Sequence, residues 1–493
     1  MIMTKKIRTR FAPSPTGFLH IGGLRTALFN YLVSKRDGGK TLLRIEDTDQ
    51  KREVVGAVKS LEEVLNWSGI KFDEGPNQGG EYGPYIQSQR LDVYEKYINK
   101  LLDSQKAYYC FCSSDRLAEL RDEQRQKNQP PRYDRKCRDL NIQEVNKKLE
   151  QEEPYVIRQK IPLEGEILVK DLLRGEIKFK AKDLEDHVLI KSDKTPTYQF
   201  ASVVDDHLME ISHVIRGEEW LPSFPKNVLL YQAFDWITPE FIHLPLILDK
   251  EGGKLSKRKN NVAVEDYKKQ GYLPEALINF VALLGWHPKD DNEILSLEEI
   301  REKFRADDIG ISPATFDLDK LNYLNGYYIR QTSLSSLTDK CLPFLEKNME
   351  KSSRNHKKER KFLEKVVAME QERMKKLEDI ADLTEFLFLD DLSYEKDLLV
   401  WKKMSEEEVA ENLKTIYQIL EKIPEKDWSI KTLEKHIFDY IKERGEKVGN
   451  FLWPLRVALT GQEKSPGPLE VADALEKKES LARIESALNL IQN

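Results

Sequence analysis

The chain is 493 residues long, carries a formal net charge of −6 and has 33 % charged residues. At roughly 100 to 200 residues per domain that length predicts four or five domains, and abundant charges of both signs leave room for local patches facing a polyanion while neither requiring nor excluding one. No apolar run approaches the ~20 residues of a membrane helix, Met1–Lys6 leads into a strand-like segment rather than a signal peptide, and four cysteines are too few for a disulfide framework. A reduced, cytoplasmic location with no membrane is expected.

From Ile7 the residues Ile7, Thr9 and Phe11 alternate as in a strand. A turn at Pro13–Gly17 follows, then a helix carrying Leu24, Ala27, Leu28, Tyr31 and Leu32 at helical spacing, then a second strand over Thr41–Glu46. The segment 107–195 mixes three cysteines, a polar stretch at Arg116–Pro131 and short β-rich runs at Tyr155–Gln159 and Val188–Lys191, and reads as an insertion. Alternating character returns from Tyr198 to Leu248, where Val203–Asp206, Val214–Gly217 and Phe241–Leu248 read as short strands about a helix at Asn227–Phe234. Beyond Gly252-Gly253 the pattern is almost wholly helical: Leu273–Leu284 is apolar, and Ser405 followed by Glu408 forms a capping-box pattern. Between Lys351 and Lys376 ten Lys or Arg stand against four Glu, a bias suited to RNA phosphates, although a solvated helix face is the commoner cause of such a run.

The segment Pro13-Ser14-Pro15-Thr16-Gly17-Phe18-Leu19-His20-Ile21-Gly22-Gly23 meets the needs of adenylate chemistry. Its prolines stiffen the turn, Gly17 permits an unusual backbone angle, Gly22 and Gly23 leave room for a triphosphate at a helix start, and His20 can donate to phosphate oxygens. Alone, such a turn could merely join a strand to a helix. A second segment, Lys254-Leu255-Ser256-Lys257-Arg258, follows two glycines and suits a loop that brings Lys254 and Lys257 to the same phosphates.

Together these segments resemble the two nucleotide motifs of class I aminoacyl-tRNA synthetases. More narrowly, the chain resembles the bacterial-type glutamyl-tRNA synthetases through Arg10–Gly17, Arg44-Ile45-Glu46-Asp47-Thr48-Asp49, Val203–His207, Ile215–Trp220 and Trp453–Gly461, in that order and over nearly the full length. One departure from the class motif is Gly23 in place of a second histidine, usual in the glutamate branch, so the phosphate role falls to His20 alone. The resemblance implies a multidomain protein: an α/β Rossmann-like catalytic domain with an α+β insertion, followed by an all-α C-terminal anticodon-binding region. The expected boundaries are 1–97 and 199–249 for the catalytic halves, 98–198 for an acceptor-stem-binding insertion, 250–334 for a stem-contact domain with the lysine loop, and 335–395 and 396–493 for two helical anticodon-binding domains. The implied reaction activates L-glutamate with ATP to glutamyl-adenylate and pyrophosphate, then transfers glutamate to the 3′-terminal adenosine of tRNA(Glu), with adenylation dependent on tRNA and the enzyme a monomer.

A glutamate pocket must distinguish a carboxylate from an amide, and a guanidinium does so with a permanent charge and paired donors. The resemblance places Arg10 and Arg216 on glutamate, Glu46 on its ammonium group, and Ala12, Ser14 and Tyr198 around it, with Ser202 standing where bacterial members commonly have asparagine. For ATP it implies Gly17, His20, Gly22, Gly23, Glu219, Trp220, Lys254, Ser256 and Lys257, with His20, Lys254 and Lys257 catalytic and Mg²⁺ held largely by ATP oxygens. Cys110-Phe111-Cys112 and Cys137-Arg138-Asp139 supply three thiolates and a carboxylate able to close a structural zinc site of one ion per chain, against the alternative of three buried, reduced thiols. Asp139 stands where histidine is frequent. A glutaminyl enzyme is disfavoured by the helical tail, the short tRNA-modifying paralogue by the long C-terminal half, a non-catalytic RNA-binding scaffold by intact His20, Lys254 and Lys257, and a small-molecule nucleotidylyltransferase by the appendage. Charging of tRNA(Gln) as well is left open.

Overall fold

The computed structural model describes residues 6–49, 52–253 and 263–492. These residues pack as two compact units, one of Met1–Lys269 with Pro274–Leu321 and one of Gln270–Leu273 with Asn322–Asn493. No helix among the described residues is long and apolar enough to cross a membrane.

The first unit begins with β1 (Arg8–Phe11), α1 (Ile21–Arg36) and β2 (Lys40–Leu43). β1 and β2 pair in parallel from Arg8↔Lys40 to Phe11↔Leu43, so α1 is the crossover helix that a parallel pair requires. All four β1 residues are buried, which puts Arg8 and Arg10 inside the protein with Thr9 and Phe11. Helices α2 (Ala57–Trp67) and α3 (Leu91–Asp103) follow, the latter burying Tyr94, Ile98 and Leu101 at helical spacing.

The inserted stretch contributes β3 (Ala107–Cys110), α4 (Ser114–Gln126), α5 (Ile142–Glu150), β4 (Val156–Gln159), β5 (Glu166–Asp171), β6 (Gly175–Lys180) and β7 (Val188–Ile190). The polar run beginning at Arg116 is largely helix α4, which buries none of its residues. Strands β3, β4 and β7 form an antiparallel sheet. The chain then returns through α6 (Tyr198–Leu208), β8 (His213–Gly217), α7 (Phe224–Ala233), β9 (Glu240–Leu244) and β10 (Ile247–Asp249). A second sheet runs β6-β5-β9-β8, with β8 and β9 parallel in register from His213↔Glu240 to Gly217↔Leu244. Two hydrogen bonds tie β8 to β1: Ser212 N donates to Arg8 O (2.9 Å) and Arg8 N donates to Ser212 Oγ (2.8 Å). Ile161 and Leu189 share one core with Leu42, Leu101, Phe200, Val204 and Leu230, so the 107–195 stretch packs into the same unit.

One expectation is corrected. Val203–Asp206 lies inside helix α6 rather than in a strand. Phe200, Ala201, Val203 and Val204 are all buried there, and that burial outweighs the modest preference of paired valines for strands.

After β10 the unit adds α8 (Val264–Lys269), α9 (Pro274–Ala282), α10 (Leu297–Lys303) and β11 (Ala314–Phe316), which pairs in parallel with β10; α11 (Leu318–Gln331) leads out of it. The second unit holds α12 (Leu334–Lys351), α13 (Arg360–Glu370), α14 (Asp379–Phe388), α15 (Glu406–Glu421), α16 (Ile430–Arg444), α17 (Val448–Thr460) and α18 (Pro468–Gln492). The capping box expected at Ser405 and Glu408 starts α15. Within the basic stretch, Lys351, Arg354, Lys357, Arg360, Lys365, Arg373 and Lys376 all form ion pairs with acids of the same chain. Lys357 is fully buried against Glu479, and Arg483 donates to Leu459 O (2.7 Å) and Leu389 O (2.9 Å), carbonyls at the ends of α17 and α14 that their own helices leave without partners. Half of that positive bias, Lys351, Arg354, Lys357, Arg360 and Lys365, is therefore paired across separate segments of the unit.

Candidate active site

A cavity of about 840 Å³ opens at the C-terminal ends of β1 and β8, beside the start of α1. Its nucleotide side is the His20 corner. His20 is the N-cap of α1, its Nδ1 accepting from Gly23 N (3.0 Å), so a neutral ring carries its proton on Nε2 and can donate from there. The first turn of α1 holds no acid, which leaves the helix N-terminus suited to phosphate. A Cβ on Gly23 would come within 2.7 Å of Leu19 Cδ1, so a side chain in place of this glycine would displace the leucine. Gly17, Gly22, Glu219 and Trp220 line the same cavity. Gly217 makes room for Glu219, whose carboxylate would lie 2.1 Å from a Cβ there.

Lys254, Ser256 and Lys257 lie outside the described residues. The chain on either side of them is placed: Gly253 O accepts from Asp249 N (2.7 Å), and on the far side Ala263 forms a β-bridge with His20 while Val264 N donates to Leu19 O (2.8 Å). Ala263 and Val264 thus lie beside the His20 corner.

The opposite side of the cavity rests on a buried ion cluster. Arg10 Nε donates to Asp206 Oδ1 (2.9 Å), while Arg44, with no exposed side-chain surface, pairs through Nη1 with the same Asp206 oxygen (2.8 Å) and through Nη2 with Glu46 Oε1 (2.8 Å). Behind them Arg90 Nε binds Asp205 Oδ1 (2.8 Å), and Gln87 and Tyr94 donate to Asp205 Oδ2. The buried cations Arg10, Arg44 and Arg90 thus face Glu46, Asp205 and Asp206, and the multiple partners of each group offset the cost of burying charge. Burial pushes the Glu46 carboxyl up to about 7, with Arg44 and Arg10 pulling it down. Burial works the same way on Asp206, but Arg10 and Arg44 prevail and hold it below the usual carboxylate range.

Arg216, at the C-terminal end of β8, is buried, with Nε 3.1 Å from His243 Nε2 and Nη2 donating to Asn227 Oδ1 (3.1 Å). The Tyr198 ring lies 4.3 Å from that of Trp220 in a tilted pair, and burial followed by the nearby Glu46 raises its phenol above the usual range. Arg10, Ala12, Ser14, Glu46, Tyr198 and Arg216 all line the cavity. Ser202 does not: it is buried on α6, its hydroxyl donating to Gln199 O (3.4 Å).

Residues 6–323 match the catalytic domain of class I tRNA synthetases (E and Q), and residues 336–488 match an anticodon binding domain. The chain is 44 % identical over 486 residues to a glutamate–tRNA ligase of Dehalococcoides mccartyi, covering 99 % of this chain and 98 % of that one. It is 44 % identical over 493 residues to the glutamate–tRNA ligase of Clostridium botulinum, covering 99 % and 100 %. A crystal structure of a glutamate tRNA ligase from Elizabethkingia meningosepticum in complex with its amino acid superposes with a TM-score of 0.90 at 36 % identity, covering 99 % of this chain and 100 % of that one. The chain belongs to the glutamate–tRNA ligase family.

Within this ligase several residues of the site were not assigned from sequence. Arg44, Asp205 and Asp206 stood in quoted motifs, and the i, i+2 spacing of Arg44 and Glu46, which puts both on one face of an extended chain, was the available signal. Arg25 gave none: it is buried on α1, donates to Leu284 O (3.1 Å) and to Pro245 O, and burial lowers its pKa to about 10.

The cysteine cluster lies elsewhere in the same unit. Cys110, Cys112 and Cys137 place their sulfurs within 4.8 Å of one another, close to the ~3.8 Å edge that ~2.3 Å Zn–S bonds give in a tetrahedron. Asp139 is not with them: its side chain is 83 % exposed and pairs with Lys160 at 3.6 Å. The oxygen at the cluster is the Tyr133 hydroxyl, 3.2 Å from Cys110 Sγ and 3.8 Å from Cys112 Sγ. The hydrogen bond between the Cys110 and Cys137 thiols pulls Cys110 below the usual thiol range and pushes Cys137 above it. The donor set fits zinc, with Tyr133 where Asp139 was expected.

Proposed function

We propose that this ligase activates L-glutamate with ATP and transfers the glutamyl group to the 3′-terminal adenosine of tRNA(Glu). The observation that carries the reading is the buried pair Arg10 and Arg216, each fixed from behind, lining the same cavity as the His20 corner. Arg10 and Arg216 take the two carboxylates of glutamate and Glu46 its ammonium group. The α-carboxylate attacks the α-phosphorus of ATP, pyrophosphate leaves, and His20 with Lys254 and Lys257 stabilises the charge that grows on the phosphates. Mg²⁺ enters with ATP, held by phosphate oxygens and water. A ribose hydroxyl of the tRNA, the 2′ by family resemblance, then attacks the carbonyl of the mixed anhydride, giving up its proton as the anhydride bond breaks and AMP leaves, a step served mainly by positioning.

Residues 98–198 act as the acceptor-stem-binding part, 250–334 as the stem-contact part and 335–493 as the anticodon-binding part. Zinc would be held by Cys110, Cys112 and Cys137 with Tyr133, a closed set that supplies structure and leaves no position for substrate. Four free cysteines fit a reduced cytoplasmic setting, and the enzyme acts as a monomer.

The test is charging of purified tRNA(Glu) with glutamate or glutamine. Arg10→Leu and Arg216→Leu should each lower kcat/KM for glutamate on the order of 100-fold, ~2.7 kcal/mol of transition-state stabilisation. Wild-type charging by either variant, or preference of the unaltered enzyme for glutamine, would sink the assignment of the pocket.

A further inference from the structure

Arg216 does not hold its own position. A guanidinium on a flexible stem has many rotamers, and its Nε–H is a donor at every working pH, so whatever faces Nε must accept. His243 on β9 faces it through Nε2 at 3.1 Å and has no exposed surface. Its Nε2 is therefore the bare nitrogen and Nδ1 carries the proton, directed at Asp171 Oδ2 at 2.7 Å. Asp171 is buried as well: Oδ2 also accepts from His243 N (3.0 Å), and Oδ1 accepts from Leu173 N and Arg174 N (both 3.0 Å). Each partner leaves the next one role. The tautomer is set from behind, as a carboxylate sets an imidazole in other enzymes.

His243 and Asn227 take the Nε and Nη2 hydrogens on the side edge of the guanidinium. The end edge, with one hydrogen from each of Nη1 and Nη2, has the geometry of a fork for a carboxylate, and Tyr198 hydrogen-bonds the same guanidinium. Asp171 belongs to β5, within the inserted stretch, and pairs with Phe241 of β9. In the turn beyond it, Arg174 donates to Glu218 Oε2 (2.6 Å) and to His243 O, reaching both the residue before Glu219 and the backbone of the same histidine.

We infer that His243, locked by Asp171, is a positioning residue that aims Arg216 at a carboxylate of the amino-acid substrate, so that the insertion's 171–174 turn takes part in glutamate recognition. This rests on Arg216 binding glutamate, as proposed above.

The experiment measures tRNA charging with glutamate, ATP and tRNA varied in turn, with folding checked by circular dichroism and thermal melting. His243→Phe keeps an aromatic ring against Phe224 and Phe241, at centroid distances of 4.9 and 5.9 Å, and removes the acceptor. It should raise the glutamate KM at least tenfold and leave the KM values for ATP and tRNA within twofold. His243→Gln places an amide oxygen near the lost Nε2 and should return the glutamate KM to within threefold of the unaltered enzyme. Asp171→Asn, which turns an amide donor toward Nδ1 and reverses the tautomer, should behave as His243→Phe does and serves in its place if that variant melts early.

Arg216→Ala separates the two readings. If it leaves the glutamate KM unchanged, the Arg216 assignment itself falls. If it raises that KM while His243→Phe and Asp171→Asn do not, the positioning inference is overturned. Equal loss for all three substrates in His243→Phe, or a His243→Gln as impaired as His243→Phe, reduces His243 to packing and overturns it as well.

Discussion

Glu46 shows how burial sets chemistry at a single residue. Its carboxyl is pushed up to about 7, so near neutral pH the empty pocket holds a mixture of acid and carboxylate. In the proposed pocket the substrate ammonium group takes the carboxylate form, and below about pH 7 the acid form must first lose a proton. Because kcat/KM reports ionisations of the free enzyme, kcat/KM for glutamate should fall as pH drops through about 7, close to tenfold per unit below it. Glu46→Gln should be weaker throughout and lose this limb of the profile. A profile of the unaltered enzyme that stays flat from pH 8 to 5.5 would show that Glu46 remains ionised and has no part in it. The sequence placed Arg10 in the glutamate pocket by resemblance and gave Arg44, inside a quoted motif, no role. Burial and shared carboxylates were invisible because Asp205 and Asp206 are distant in sequence and meet the arginines only after folding.

At the scale of elements, strand β3 ends at Cys110, Cys112 lies just beyond it, and the segment after α4 returns Tyr133 and Cys137 to the same point. Zinc there would join these two ends of the chain. Metal analysis of the purified chain should find about one zinc, lost in Cys112→Ser and retained in Asp139→Ala, while Tyr133→Phe should weaken retention on the order of tenfold or more against a chelator. Loss of zinc in Asp139→Ala would restore the ligand set expected from spacing. That expectation failed geometrically because sequence distance fixes which residues are near the turn and not which way each side chain points. Helix α6 makes the same point for the backbone: Val203-Val204 has strand preference, yet three-dimensional burial makes it helical.

For the whole molecule, the proposed pocket lies in a unit whose sheets include strands β3 to β7, and residues 336–488 match an anticodon binding domain. The family resemblance implies that adenylation waits for tRNA. ATP–pyrophosphate exchange with glutamate should be at least tenfold faster with tRNA(Glu) present than without it, and Lys257→Ala should slow it in both cases while leaving tRNA affinity within twofold. Exchange at full rate without tRNA would remove the dependence. Parallel charging of tRNA(Gln), with the attached amino acid identified, decides whether the enzyme serves one acceptor or two.

The sequence by itself determined the family, the order of the parts and the nucleotide corner, because a Pro/Gly turn, a capping histidine and a helix start are local and act over a few adjacent residues. It also put Arg10, Glu46 and Arg216 in the pocket through their motifs. Tertiary structure decided what holds those residues: Asp206 and Arg44 behind Arg10 and Glu46, His243 and Asp171 behind Arg216, and Tyr133 beside the thiols. Buried charges need partners from whichever strand or helix lies against them, and that choice is made only when distant segments pack.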